Sequence, residues 1–256
     1  MLLALDIGNS NTVIGLYDGA QLAAWWRLTT TRAQTVDEFT FILSGLLQAR
    51  GCAPSRVEGA MVASVVPPLD AMVREALNRM FNLEALFVGP GLKTGMAVHY
   101  DSPADVGADR IVNAVAGFAL HGGPLIIVDF GTATTFDVVS EKGDYNGGII
   151  CPGMAISAEA LFSRTARLPR VELRPPERLI GANTVGSMQS GLFYGYLSLV
   201  DGLIERLRHE LGAEVKVIAT GGLAPLIARQ SRYISACDDQ LTLTGLRLLW
   251  ERNRGR

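Results

Sequence analysis

Two stretches far apart in the chain share one pattern, and a chain that carries it twice has few folds open to it. Leu2 to Gly19 reads LLALDIGNSNTVIGLYDG, and Leu125 to Val139 reads LIIVDFGTATTFDVV. In each, an apolar run ends in an aspartate, a glycine follows two residues later, and small polar residues lead into a second apolar run. Asp6-Ile7-Gly8 and Asp129-Phe130-Gly131 align without a gap. Each stretch predicts a strand, a tight turn and a strand, with the acid at the end of the first strand. An internal repeat at this separation predicts two related lobes facing each other across a cleft.

The residue types of the first turn fit an anion. Gly8 allows backbone angles and close approaches that a Cβ would block. Asn9, Ser10, Asn11 and Thr12 supply side-chain donors. Asp6 beside the same anion is unfavourable unless a cation lies between them. The stretch lacks the G-x-x-x-x-G-K-[ST] order of a Walker loop. Taken alone it leaves two readings open, an ordinary hairpin with a polar turn or a phosphate-and-metal hairpin. The second copy, with Thr132, Thr134 and Thr135 after Gly131, decides between them. Two acid-and-hydroxyl hairpins converging on one cleft suit a nucleoside triphosphate with a bound cation.

At 256 residues the chain can bury a real core, as one large domain or two small ones. With 48% hydrophobic and 19% charged residues it is globular in character. A net charge of −2 gives no reason to expect nucleic acid or an acidic membrane as partner. Cys52, Cys151 and Cys237 are odd in number and far apart, so neither a disulfide framework nor a metal-ligand spacing is expected. His99, His121 and His209 are equally scattered. No basic-then-apolar leader precedes the strand at position 2, and no apolar run has the length of a membrane span. The expectation is a reduced, soluble, cytoplasmic protein.

Further along, Gln21 to Thr29 predicts a third strand, with Trp25 and Trp26 as packing residues. Thr35 and Glu38 form a capping-box pattern ahead of a helical face at Phe39, Ile42, Leu43, Leu46 and Leu47. A buried strand at Gly59 to Val66, a helix from Leu69 to about Phe81 and a short strand at Glu84 to Val88 complete a βββαβαβ order. The irregular stretch from Gly89 to Pro103 is too long and polar to be filler. Ser102, Pro103 and Asp105 predict a helix start there, which would put Asp105 and Asp109 on one face. Asp109-Arg110 would lie near the helix start, where free N–H groups favour an anionic ligand.

The second hairpin leads to a third strand at Asp144 to Cys151 and a helix from Met154 to about Thr165. The segment Arg167 to Arg178 reads as an exposed loop. A long helix is predicted from Val185 to about Leu211, with Gly191, Gly195 and Gly202 along it. Glycine weakens a helix unless another backbone packs close or a partner helix crosses, a hint of a dimer seam. A strand at Glu214 to Ala219 stops at Thr220-Gly221-Gly222, a turn against which a flat ring such as adenine could lie. An amphipathic helix, Leu241 to Arg252, closes the chain.

The set DIGNSNTVIG (6–15), GADR (107–110), DFGTATTFD (129–137), GGIICPG (147–153), NTVGSMQSG (183–191) and TGG (220–222) resembles type III pantothenate kinases. These belong to the superfamily of acetate and sugar kinases, heat-shock ATPases and actin. The resemblance spans nearly the whole chain, and GADR in this context is its most specific element. It implies an α/β fold of two duplicated RNase H-like lobes, βββαβαβα, residues 1–120 and 121–256, with the nucleotide cleft between them. It implies ATP-dependent phosphorylation of pantothenate to 4'-phosphopantothenate, the first step of coenzyme A biosynthesis.

By the same resemblance, Asp6, Ile7, Gly8, Asn9, Ser10, Asn11, Thr12 and Val13 would hold the ATP phosphates, with Thr132 helping from the other lobe. Asp109 would be the general base. Tyr100, Gly107, Ala108, Asp109, Arg110 and Thr184 would hold pantothenate. Asp129 would bind a monovalent cation, K⁺ or NH₄⁺, required along with Mg²⁺, which Asp6 would meet through water. The resemblance also implies a homodimer with the pantothenate pocket near its interface, and no nucleic-acid or membrane partner. Two rivals stand beside it. One is a sugar or polyphosphate kinase or a phosphatase of the same superfamily, which usually carries longer chains and large insertions. The other is a non-catalytic accessory factor in transcription, for which a degenerate site would speak; here Asp6, Asp109, Arg110 and Asp129 are all present.

Overall fold

The computed structural model describes residues 1–212 and 214–254. Two compact units form, one from residues 1–116 together with those from Gln240 onward, the other from residues 117–239.

In the first unit, β1 (Leu2–Ile7) is apolar except for Asp6, and its apolar side chains are buried. It pairs antiparallel with β2 (Asn11–Asp18) and parallel with β4 (Gly59–Ser64). Strands β3 (Gln21–Thr29) and β5 (Leu86–Phe87) complete the order β3-β2-β1-β4-β5. A central strand covered on both faces has no room for polar alternation, which is why β1 reads as an unbroken apolar run. On β3, Trp26 packs against the core, whereas Trp25 stays 40% exposed with the Arg27 guanidinium 5.9 Å from its ring centre. Helix α1 (Val36–Ala49) begins at the expected capping box. The Glu38 carboxylate accepts the Thr35 N–H at 2.8 Å, and the Thr35 hydroxyl accepts the Glu38 N–H at 3.3 Å. Phe39, Leu43 and Leu47 are its buried stripe. Helix α2 (Pro67–Phe81) packs beside α1 over the same sheet.

The stretch after β5 departs from expectation. Ser102 makes no side-chain cap, and Pro103–Asp105 is a single 3₁₀ turn. Val106 is extended and buried, and helix α3 (Ala108–His121) begins only beyond Gly107. Asp105 therefore lies outside the helix and does not share a helical face with Asp109. The buried Val106 breaks the run, a tertiary demand that overrides the local start signal.

The second unit repeats the first. β6 (Leu125–Phe130) is its central strand, antiparallel to β7 (Ala133–Val139) and parallel to β9 (Lys216–Thr220). With β8 (Tyr145–Pro152) and β10 (Ala236–Cys237) the order is β10-β9-β6-β7-β8, which matches the first sheet strand for strand. Helices α4 (Met154–Ser163), α5 (Thr184–Leu211) and the short α6 (Ala224–Ala228) belong to it. Among the described residues no helix is long and apolar enough to cross a membrane.

Helix α7 (Leu241–Asn253) does not join the lobe it follows in sequence. It packs on β1, β2 and β4 of the first unit, where the sequence reading counts it with residues 121–256. Leu241, Leu243, Leu246 and Leu249 are buried along it. Two glycines make the seat. A Cβ on Gly59 would lie 2.1 Å from the Trp250 ring, and one on Gly245 would lie 2.3 Å from the Val112 carbonyl. The apolar pattern of 241–253 does not by itself distinguish one sheet from the other; Gly59 and Gly245 shape the seat.

Gly59→Ala should therefore destabilise the protein by about 1–3 kcal/mol through overpacking. Trp250→Leu should relieve part of that loss in the double variant, read as non-additive urea midpoints.

Candidate active site

The turn between β1 and β2 is tight. The Gly8 N–H donates to the Asn11 carbonyl at 3.0 Å, with Asp6 opposite Val13 and Ile7 opposite Thr12. A Cβ on Gly8 would sit 3.1 Å from that same carbonyl, so the turn is close-fitting as well as small. Residues just after β3 lock it. The Thr30 hydroxyl donates to the Gly8 carbonyl at 2.7 Å and lies 2.9 Å from the Thr12 hydroxyl. The Thr30 N–H donates to the Ser10 carbonyl at 3.0 Å. Arg32 donates to Asn9 Oδ1 at 3.1 Å. Asn9, Ser10 and Asn11 stay exposed, Thr12 is buried, and Asp6 is half-buried at the strand end. Thr12 and Asn9 thus act partly within the protein. Thr30 and Arg32 are absent from the sequence reading, because their role depends on β3 returning beside the turn.

Asp109 stands in the first turn of α3. Its Oδ1 accepts the Arg110 N–H at 2.8 Å. Burial pushes its carboxyl above the ordinary aspartate value, against the opposing pull of that N–H and of the Arg110 charge. Gly107 makes the space: a Cβ there would lie 2.6 Å from Asp109 Oδ1. Gly107 also accepts the Arg110 and Ile111 N–H groups that open the helix. Arg110 is buried, and Tyr100 is 40% exposed in the irregular stretch before the helix. GADR is thus a helix start in which the glycine leaves room for a carboxylate and the next residue's N–H fixes it.

In the second unit, Asp129 faces Thr135 across the strands, and Phe130 faces Thr134. The Gly131 N–H donates to the Ala133 carbonyl at 3.0 Å, closing a turn one residue shorter than that at Gly8. The hydroxyls divide into two uses. Thr132 is exposed on the turn. Thr134 is buried and takes the Tyr196 hydroxyl, while Thr135 donates to Asp137 at 3.1 Å, a carboxylate also held by Tyr145 at 2.8 Å. Gly221, at φ +91°, lies against β6: a Cβ there would be 2.5 Å from Asp129 Oδ1 and 2.7 Å from the Phe130 carbonyl. The conformational freedom expected to admit a flat ring is taken up by these two oxygens.

Thr184 is exposed at the first position of α5, behind Asn183, whose Oδ1 accepts the Gly186 N–H at 2.8 Å. Both line a cavity of about 710 Å³ with Leu161, Met188 and Leu192.

Comparison with known proteins gives the family. The family description "Type III pantothenate kinase" matches residues 2–206. The chain belongs to the type III pantothenate kinase family. It is 55% identical to the type III pantothenate kinase of Koribacter versatilis, over 99% of this chain and 96% of that one. It is 55% identical to that of Anaeromyxobacter sp. strain Fw109-5, over 99% and 100%. Among solved structures, a putative Baf family transcriptional activator from Campylobacter jejuni has a TM-score of 0.62 at 22% identity, covering 98% of each chain. A ROK family glucokinase from Streptomyces griseus, in complex with glucose and AMPPNP, has a TM-score of 0.58 at 10% identity, over 98% and 99%. These two share the fold of this chain.

The Asp109 environment has a consequence for stability. Its folded-state pKa lies above its unfolded one, so its stabilising contribution is present in acid and lost as pH rises through the folded value. At neutral pH the ionised side chain costs stability. Asp109→Asn keeps an acceptor for the Arg110 N–H and should raise the Tm at pH 7. The gain should vanish towards about pH 4, followed by calorimetry across pH.

Proposed function

We propose that this family member transfers the γ-phosphoryl group of ATP to the hydroxyl of pantothenate, with Asp109 as general base. The observation that carries this is the Asp109 carboxylate, seated in a space that Gly107 leaves open and held by the Arg110 N–H. Phosphoryl transfer needs positioned reactants, neutralised phosphates and an acceptor for the hydroxyl proton. A carboxylate with a raised proton affinity serves the last need at neutral pH. In this reading Tyr100, Gly107, Ala108, Arg110 and Thr184 hold pantothenate, with the Arg110 guanidinium pairing to its carboxylate or to phosphate. The exposed turn at 8–11, with Asp6, Ile7, Thr12 and Val13 around it, and Thr132 in the second unit bind the ATP phosphates.

The residues fit the cations that such chemistry uses. Among the described residues no cluster of three or more His, Cys, Asp or Glu side chains could cage a metal ion. A magnesium ion carried on the phosphates needs only one or two carboxylates, and Asp6 at the strand end supplies one through water. Asp129, half-buried at the end of β6, supplies a carboxylate oxygen, the donor type that K⁺ or NH₄⁺ would take. Bound there and on the phosphates, the two cations would offset the charge of the triphosphate.

A homodimer accounts for the exposed face of α5. A Cβ added to Gly191, Gly195 or Gly202 would meet nothing within 4 Å in its own chain. Ile150, Ile156, Leu179, Ile180 and Val185 of the same unit are exposed as well. Glycines that weaken a helix without serving an internal contact are explained by a second helix crossing them. The three cysteines are free, which suits a reducing cytoplasm.

ADP release should require pantothenate and rise with added K⁺. Asp109→Asn should lower kcat by about 10²–10⁴ while the protein stays folded. The acid limb of kcat/KM should lie above the ordinary aspartate range, activity falling as pH drops through it. Absence of ADP release from a folded protein would overturn the kinase reading; release that survives Asp109→Asn would overturn only the base. In sedimentation, Gly195→Trp should shift a dimeric wild type to monomer.

A further inference from the structure

The C-terminal helix α7 touches the catalytic region at two places that packing against the sheet does not require. Asn253, near its last turn, is only 2% exposed. Its Oδ1 accepts the Lys93 N–H at 3.1 Å, and its Nδ2 donates to the Lys93 carbonyl at 2.9 Å. Nδ2 also donates to the Leu249 carbonyl of its own helix at 2.9 Å, which fixes the amide's orientation. One side chain thus satisfies both backbone groups of a residue 160 positions away. Beside it, the Arg252 guanidinium lies on Gly95, where a Cβ would come within 2.2 Å of Nη1. Lys93 and Gly95 belong to the irregular stretch that leads to Tyr100. That stretch has no helix or long strand to hold it, so external anchors decide how ordered it is.

The other contact is with α3. The Thr242 hydroxyl donates to Asn113 Oδ1 at 2.7 Å, and Asn113 is almost fully buried one helical turn beyond Asp109. Gly245 brings α7 onto the Val112 carbonyl. One helix therefore anchors both the stretch that carries Tyr100 and the helix that carries Asp109. Both anchors lie in this unit, and α7 lies outside the residues 2–206 matched by the family description.

We infer that Asn253, with Arg252 beside it, is a positioning residue that holds the 89–106 segment ready for pantothenate. This rests on the assignment of Tyr100 and residues 107–110 to that substrate. The amide clamp contributes order to the segment before substrate arrives, and a substrate that must order the segment itself binds more weakly. ATP binding, assigned to the Gly8 turn, does not draw on the clamp.

The test compares four variants of the full-length protein: Asn253→Leu, Arg252→Ala, Tyr100→Ala and Thr35→Ala. Thr35→Ala removes the α1 cap and reports on general loss of stability alone. Asn253→Leu should raise KM for pantothenate on the order of tenfold, as expected for lost hydrogen bonds. KM for ATP should stay within about twofold, and amide exchange should quicken across 89–103 while the β1 and β4 amides stay protected. Thr35→Ala should lower the Tm without moving either KM. Arg252→Ala, at an exposed side chain, should show a smaller rise in the same direction and carries the test if Asn253→Leu does not fold. An unchanged pantothenate KM in the clamp variant, with Tyr100→Ala strongly impaired, would overturn the inference. Equal losses for ATP and pantothenate would also overturn it, as the mark of a merely structural role. An unchanged KM in Tyr100→Ala as well would instead overturn the substrate assignment on which it rests.

Discussion

Each unit depends on a central strand that is hydrogen-bonded on both sides and covered on both faces. β1 lies between β2 and β4, and β6 between β7 and β9. No polar side chain can be placed along such a strand at small cost. The first position where one can emerge is its end, and there each strand carries its aspartate, half-buried and followed by a glycine turn. The two aspartates thus sit at the strand ends because the sheet excludes a polar side chain from anywhere else along these strands. In its own unit, β4 ends with Ser64 opposite Ile7 of β1, and β9 ends with Thr220 opposite Asp129 of β6. Gly221, directly after β9, is brought onto Asp129 by that register and by nothing in its own local sequence.

What could be read from the sequence follows from how local each determinant is. The Thr35–Glu38 box, the Asp-x-Gly hairpins and the apolar runs of β1, β4, β6 and β9 are set by neighbours within a few residues, and the structure carries them as expected. The features that were not legible involve partners distant in the chain. Thr30 and Arg32 lock the Gly8 turn only because β3 folds back beside it. Thr134 and Thr135 share the motif's hydroxyl pattern with Thr132, yet turn to Tyr196 and Asp137. The cap signal at Ser102 is chemically sound but loses to the burial of Val106. A local pattern proposes a helix start; a buried side chain one residue too far on decides against it.

The same distinction separates the two kinds of support that α7 gives. Its leucines hold it to the first sheet by apolar burial, which is large but not directional. Its polar contacts through Asn253 and Thr242 are few and directional. They contribute less to stability but fix where a loop and a helix lie. An apolar face alone would leave α7 free to slide along β1 and β4. The glycine seats at Gly59 and Gly245 remove that freedom by admitting Trp250 and the Val112 carbonyl at one register only.

Asp109 shows how the fold sets two opposed effects on one group. The first turn of a helix, with a free N–H and a neighbouring arginine, favours a charged carboxylate. Burial opposes it and is the larger effect here. The N–H and the arginine moderate the rise that burial causes. Without the burial nothing would raise the carboxyl above the ordinary aspartate value. Gly107 serves both: it leaves space for the carboxylate and accepts the N–H groups that begin the helix. A side chain at that one position would push the carboxylate aside and disturb the turn that moderates its charge, so the glycine of GADR sets the surroundings of the carboxylate as much as the aspartate's own place in the helix does.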